Sequence, residues 1–342
     1  MSEPIQQIPE FPSFKPLWWL TQNHAQTIAG NFWPRPAFRL QAEPLLVPVD
    51  EQSGSNVLCH CHWQQEPAEK LTLLLVHGLE GSSDSRYIQG ITRVAWEAGC
   101  NVVRMNMRNC GDTETLSTTL YHSGLSGDVA QVALAVERLH GLKRIALVGY
   151  SMGGNLVLKL AGELGAGVVA NVPQSLVAVV GVSPAMDLAT SADALHEPAN
   201  RLYEMKFLRG LMDCFRRKCA LYPDIYHPSS AKGVRTLREF DDCITARYSG
   251  FQNAEDYYQR AASARVTDSI ALPTLILHSL DDPFIRMLPT TRAKIVANPA
   301  ITFLELERGG HCAFLTMLNG KLRRRQWAES LLVHWLEQYR GV

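Results

Sequence analysis

No stretch of this chain approaches the roughly 18 consecutive apolar residues that a membrane-spanning helix requires. Its opening, Met-Ser-Glu-Pro-Ile-Gln-Gln-Ile-Pro, lacks the basic start and apolar core of an export signal. Excess charge is missing too, since 33 Lys and Arg balance 33 Asp and Glu. No global field gathers nucleic acid or anionic lipid, and recognition has to come from a local site. Eight cysteines without an export signal read as reduced thiols rather than a disulfide framework. The run Cys59-His60-Cys61-His62 lacks a second cysteine pair at finger-like spacing, and on a strand its alternate side chains point to opposite faces, which argues against zinc. The expectation is a soluble, cytoplasmic protein with no nucleic-acid partner, no stable membrane insertion, no metal and no cofactor.

What is present is a large core. Hydrophobic residues make up 46% and charged residues 19% of 342 positions, a composition that suits one α/β domain carrying an insertion. Residues 1–43 are rich in Pro and aromatics (Phe11, Phe14, Trp18, Trp19, Trp33, Pro34, Pro36) without helical or strand period, and read as an arm packed on the domain formed by residues 44–342. Two β-like stretches, 44–50 and 56–63, flank the turn signal Gln52-Ser53-Gly54-Ser55 and predict an antiparallel start to a sheet. From residue 71 apolar strands (71–76, 101–106, 144–149, 176–182, 273–279, 300–306) alternate with helical patterns (85–98, 125–140, 152–165, 286–297, 324–340). That alternation predicts a doubly wound, mostly parallel sheet of eight strands, with its ligand site at the carboxyl ends of the strands. About ninety residues between 182 and 273 exceed any ordinary connection. They are expected to form a helical lid, about 187–270, with Phe207, Leu208, Leu211, Met212 and Phe215 on one helix face. The basic runs Arg216-Arg217-Lys218 and Arg323-Arg324-Arg325 read as solvated helix faces.

The chemistry begins at Gly149-Tyr150-Ser151-Met152-Gly153, which matches G-x-S-x-G. Three fixed positions recur by chance in roughly one chain of this length in ten, so the pentapeptide alone is weak. Its context is specific: a strand runs into it and a helix runs out, as a nucleophile elbow demands. A serine hydroxyl needs a base and an acid to orient that base, and this fold presents them in the order Ser, Asp or Glu, His. Asp281-Asp282-Pro283 follows the strand 273–279, and Gly309-Gly310-His311 follows 300–306. Both loops leave the edge at which Ser151 emerges. His77-Gly78-Leu79 follows 71–76, where the first oxyanion donor belongs, so the N–H groups of Leu79 and Met152 are the expected oxyanion hole. His77 itself is expected to shape the loop by hydrogen bonding.

With these motifs, Asn23-His24-Ala25-Gln26-Thr27, Tyr121-His122-Ser123-Gly124, and Phe240-Asp241-Asp242 with Thr245, Tyr257 and Tyr258, almost the whole chain resembles the YheT-like bacterial branch of the AB-hydrolase family. That family includes medium-chain ester hydrolases and ethanol acyltransferases. The resemblance implies a Ser151-Asp282-His311 triad and a small acyl ester substrate of short to medium chain. In related hydrolases the acid is followed by two residues and a small aliphatic side chain, a register that Asp282-Pro283-Phe284-Ile285 fits better than one starting at Asp281. Cys312 stands where a small aliphatic residue is expected. The other readings are acyl transfer to an alcohol by the same triad, a non-catalytic ligand-binding protein on this scaffold, or an interaction scaffold working through the arm.

Overall fold

The computed structural model describes residues 11–32, 38, 40–316 and 327–341. The arm residues Trp33, Pro34 and Pro36 and the run Arg323 to Arg325 lie outside the described residues. Eight strands form one sheet: β1 (Glu43–Asp50), β2 (Ser55–His62), β3 (Thr72–Val76), β4 (Asn101–Met105), β5 (Ile145–Tyr150), β6 (Leu176–Val182), β7 (Thr274–Ser279) and β8 (Ile301–Leu306). Their spatial order is β1-β2-β4-β3-β5-β6-β7-β8. β2 is antiparallel to both β1 and β4, and every pair from β4 onward is parallel. The expected antiparallel start and parallel body are both found.

Helices α1 (Asn23–Phe32), α2 (Arg86–Glu97), α3 (Ser126–His140), α4 (Met152–Gly165), α5 (Leu188–His196), α6 (Arg201–Leu221), α7 (Leu237–Phe240), α8 (Arg247–Ser249), α9 (Ala254–Ala261), α10 (Pro289–Ala297) and α11 (Trp327–Leu336) complete the chain. A π-helical segment, Asp241–Ala246, joins α7 to α8. The central strands read as unbroken apolar runs because both faces of the sheet are covered. On β3, Leu73 and Leu75 enter a core shared with Ile88 and Ile91 of α2 and Leu331 and Leu332 of α11. Leu74 and Val76 enter the opposite core, shared with α3, α4 and the insertion.

Two expectations need correction. The helix read over 286–297 begins at Pro289, because the residue before a proline avoids the α region and Leu288 is extended at φ −66°, ψ 148°. Lys218 is not solvated. It is fully buried, and its ammonium donates to the carbonyls of Glu114 and Ser117, so only Arg216 and Arg217 of that run face solvent. On β2, Cys59 and Cys61 point into the core while the ring of His62 packs against Phe38 and Trp96. No helix among the described residues is long and apolar enough to cross a membrane.

Candidate active site

Ser151 joins β5 to α4 with φ 54° and ψ −116°, a backbone conformation that side-chain-bearing residues rarely adopt. The glycines two positions away on either side make this turn possible. A Cβ on Gly149 would lie 2.1 Å from the Gly153 carbonyl oxygen, and one on Gly153 would lie 2.3 Å from that of Val76. Backbone meets backbone at both points, so no side chain fits.

The loops after β7 and β8 converge on the same edge. His311 Nδ1 lies 2.7 Å from Asp282 Oδ2. The other oxygen of Asp282 accepts the backbone N–H groups of Phe284 and Ile285, at 3.1 and 2.9 Å. Asp281 takes a different set of partners: it accepts the Ser279 hydroxyl and the Gly310 N–H, the latter at 2.9 Å, and so ties the β7 loop to the β8 loop. Ser151 and Cys312, the residue after His311, both reach the end of β6. The Ser151 N–H donates to the Val182 carbonyl at 2.9 Å, the same carbonyl that the Cys312 thiol approaches at 3.7 Å. That thiol is also 3.7 Å from His311 Nε2. Among the described residues no hydrogen bond joins Ser151 Oγ to Nε2; such contacts are often long before substrate binds.

Burial opposes charge on the His311 imidazole, but the Asp282 carboxylate outweighs it and holds the ring well above its ordinary 6.5. Burial likewise raises Asp282, and the His311 charge and hydrogen bond reverse this to leave its carboxyl below 3.8. A base with a raised pKa stays protonated to higher pH and cannot then accept a proton. The expected result is that kcat/KM falls as pH drops through an apparent pKa above 6.5, and that Asp282→Asn moves the midpoint down. A rate that holds flat to about pH 5 would contradict the assignment of His311 as base.

His77 is fully buried, and burial pushes its imidazole down to about 4, so it is neutral. Its Nε2 accepts the Met107 N–H at 3.1 Å, which fixes the proton on Nδ1, 2.8 Å from the Gly78 carbonyl. His77 thus braces the loop that carries Leu79. Leu79 and Met152 line one cavity with Ser151, and among the described residues neither N–H is engaged in a hydrogen bond. The rest of that cavity is mainly apolar and is built largely from the insertion. Of the five apolar residues expected on the insertion helix, Phe207, Leu211 and Phe215 line it; Leu208 and Met212, half-buried against the same core cluster, do not.

Sequence reading missed the part played by the arm. The Thr27 hydroxyl of α1 accepts the His311 N–H at 2.9 Å, and a Cβ on Gly310 would lie 2.8 Å from that oxygen. His24 stacks on Tyr203 of α6, Tyr203 contacts Phe284, and Phe284 packs 4.4 Å from the His311 ring. The signal was the segment Asn23 to Thr27, which stood out from its surroundings but carried no periodicity.

A serine at a strained strand-to-helix turn of a doubly wound sheet, with an Asp–His pair on the loops after β7 and β8, defines a class of α/β enzymes that work through a nucleophile elbow. The family model for the alpha/beta hydrolase fold matches residues 72–317, and the chain belongs to that family. It is 33% identical to a candidate esterase, YheT, of Escherichia coli (strain K12), over 95% of this chain and 93% of that one. It is 26% identical to the human phospholipase ABHD3, over 89% of this chain and 74% of its relative, and 26% identical to a monoacylglycerol lipase of Saccharomyces cerevisiae, over 77% and 58%. Among solved structures, the Pyrococcus furiosus esterase Pf2001 shares the fold, with a TM-score of 0.55, 14% identity, and 90% and 99% of the two chains covered.

Proposed function

We propose that the protein hydrolyses carboxylic esters of short to medium acyl chain through an acyl-enzyme on Ser151. The observation that carries this reading is the strained Ser151 opening into a cavity with unengaged N–H groups at Leu79 and Met152. In the first step Ser151 Oγ adds to the ester carbonyl carbon while His311 Nε2 takes its proton, and the carbonyl oxygen becomes an anion held by the two N–H groups. Collapse expels the alcohol, which receives that proton. Water repeats the sequence, with His311 again as base, and releases the carboxylic acid. Relatives named as an esterase, a phospholipase and a monoacylglycerol lipase support ester substrates.

The insertion in this reading is a lid that supplies the acyl wall. Each buried CH₂ is worth about 0.8 kcal/mol, so a polar wall should be felt in proportion to chain length. Leu211→Asn is expected to raise KM several-fold for an octanoyl ester and little for an acetyl ester. Met212→Asn, outside the cavity, should affect every chain length alike. Kinetics on a graded series of nitrophenyl esters measure both; a length-independent effect at Leu211 would remove the helix from the acyl site.

A further inference from the structure

The cavity around Ser151 has a single charged side chain among its described lining residues, Asp241. It lies at the start of the π-helical segment Asp241–Ala246, a rare geometry found mostly at functional positions. Asp241 Oδ1 accepts the Thr245 hydroxyl at 2.8 Å, and Oδ2 accepts the Tyr258 hydroxyl at 2.7 Å. A carboxylate offers about four acceptor positions, so two remain. Among the described residues no cation forms an ion pair with it. The nearby Arg238 is paired with Asp193 at 2.8 Å and lies over the Tyr258 ring, 5.0 Å from its centroid.

An unpaired carboxylate in an apolar cavity is costly, and burial lifts this one to about 6 against the lowering effect of its Tyr258 and Thr245 bonds. An Asn would remove that cost but has a single acceptor oxygen where Asp241 uses both of its own. The cavity also holds a donor. His122 is neutral, with burial pushing its imidazole down to about 3, and its Nδ1 accepts the Gly124 N–H at 3.1 Å. That bond leaves the proton on Nε2, for which no acceptor exists among the described residues. The two groups are linked through the rings of Tyr257 and Tyr258: His122 is 6.0 Å from Tyr257, and Tyr257 is 5.2 Å from Tyr258.

We propose that Asp241 is a specificity-determining residue that accepts a hydrogen bond from a hydroxyl group on the substrate's acyl chain. This rests on reading the cavity as the acyl site. A hydroxyl fits better than an ammonium because Arg238 already places a cation over Tyr258. A site built to pair with a hydroxyl discriminates strongly against the analogue lacking it, since its polar groups are then left unpaired.

The test compares nitrophenyl octanoate with a series carrying one hydroxyl at successive chain positions, in the wild type and in Asp241→Asn and Asp241→Val. The wild type should favour one hydroxylated isomer by about 10- to 100-fold in kcat/KM, the range for a hydrogen bond to a charged group. Asp241→Val should erase that ratio, and Asp241→Asn should reduce it. Damage to the fold lowers both rates and leaves the ratio standing. Binding of the free hydroxyoctanoic acids against octanoic acid, by calorimetry, reads the same preference without turnover, so absence of esterase activity is distinguishable from absence of hydroxyl recognition. No preference at any position, a preference that survives Asp241→Val, or a stronger preference for an amino-substituted chain would overturn the proposal.

Discussion

Replacing Ser151 with Ala should lower kcat by about 10⁴- to 10⁶-fold while leaving a folded protein, the range found when a nucleophile is removed from a triad. The size follows from what is lost. Without Oγ no acyl-enzyme forms, and the N–H groups of Leu79 and Met152 can stabilise only direct attack by water. The Cβ that sits against Gly78 is retained, and so is the backbone, because the bonds from the Ser151 N–H to Val182 and from Asn155 to the Ser151 carbonyl involve no side-chain oxygen. A fluorophosphonate probe should label the wild type at Ser151 and leave the Ala variant unlabelled, since it reads an activated hydroxyl independently of the natural ester. Turnover that persists in the variant would move the chemistry elsewhere. A wild type that neither labels nor turns over esters would favour a ligand-binding protein on this scaffold.

How much of this was legible in the sequence depends on whether the governing contacts are local. The strands were legible because a sheet covered on both faces demands unbroken apolar runs, as in Leu73 to Val76 and Ile145 to Val148. The elbow was legible because its glycines answer clashes within a few residues or with the neighbouring strand. The insertion was visible only as an interval that broke the alternation. Its helical spacing marked α6, but not which side chains of that face reach the cavity: Leu208 and Met212 share the period of Leu211 and pack against the same core cluster, yet of the three only Leu211 lines the cavity. Contacts across the chain were illegible. The bond from His311 to Thr27 spans 284 positions, and nothing in either segment announces the other. Cys312, whose thiol lies 3.7 Å from His311 Nε2, adopts a positive φ of 55°, a backbone turn that the sequence gives little reason to expect.

The adjacent acids of the β7 loop make the sharpest case, since Asp281 and Asp282 differ in nothing but where they point. Asp282→Asn should lower kcat by about 10⁴-fold in a folded protein. The Asn amide can place an N–H where a carboxylate oxygen accepted the Nδ1 hydrogen, which favours the imidazole tautomer with its proton on Nε2. That nitrogen could then no longer take the Ser151 proton. The loop itself should hold, because Asn Oδ1 can still accept the Phe284 and Ile285 N–H groups that Asp282 accepts now. Asp281→Asn should retain most activity. Its Oδ1 can keep the bonds from Ser279 and from Gly310, and neither bond touches the imidazole. Some loss is expected through the β8 loop, because Gly310 adjoins His311, and it should show as a lower melting temperature rather than a collapsed kcat. Measuring kcat, KM and melting temperature on both purified variants separates the two roles. An inactive, stable Asp281→Asn beside an active Asp282→Asn would transfer the orienting role to Asp281 and leave the 2.7 Å contact between His311 and Asp282 without a catalytic purpose.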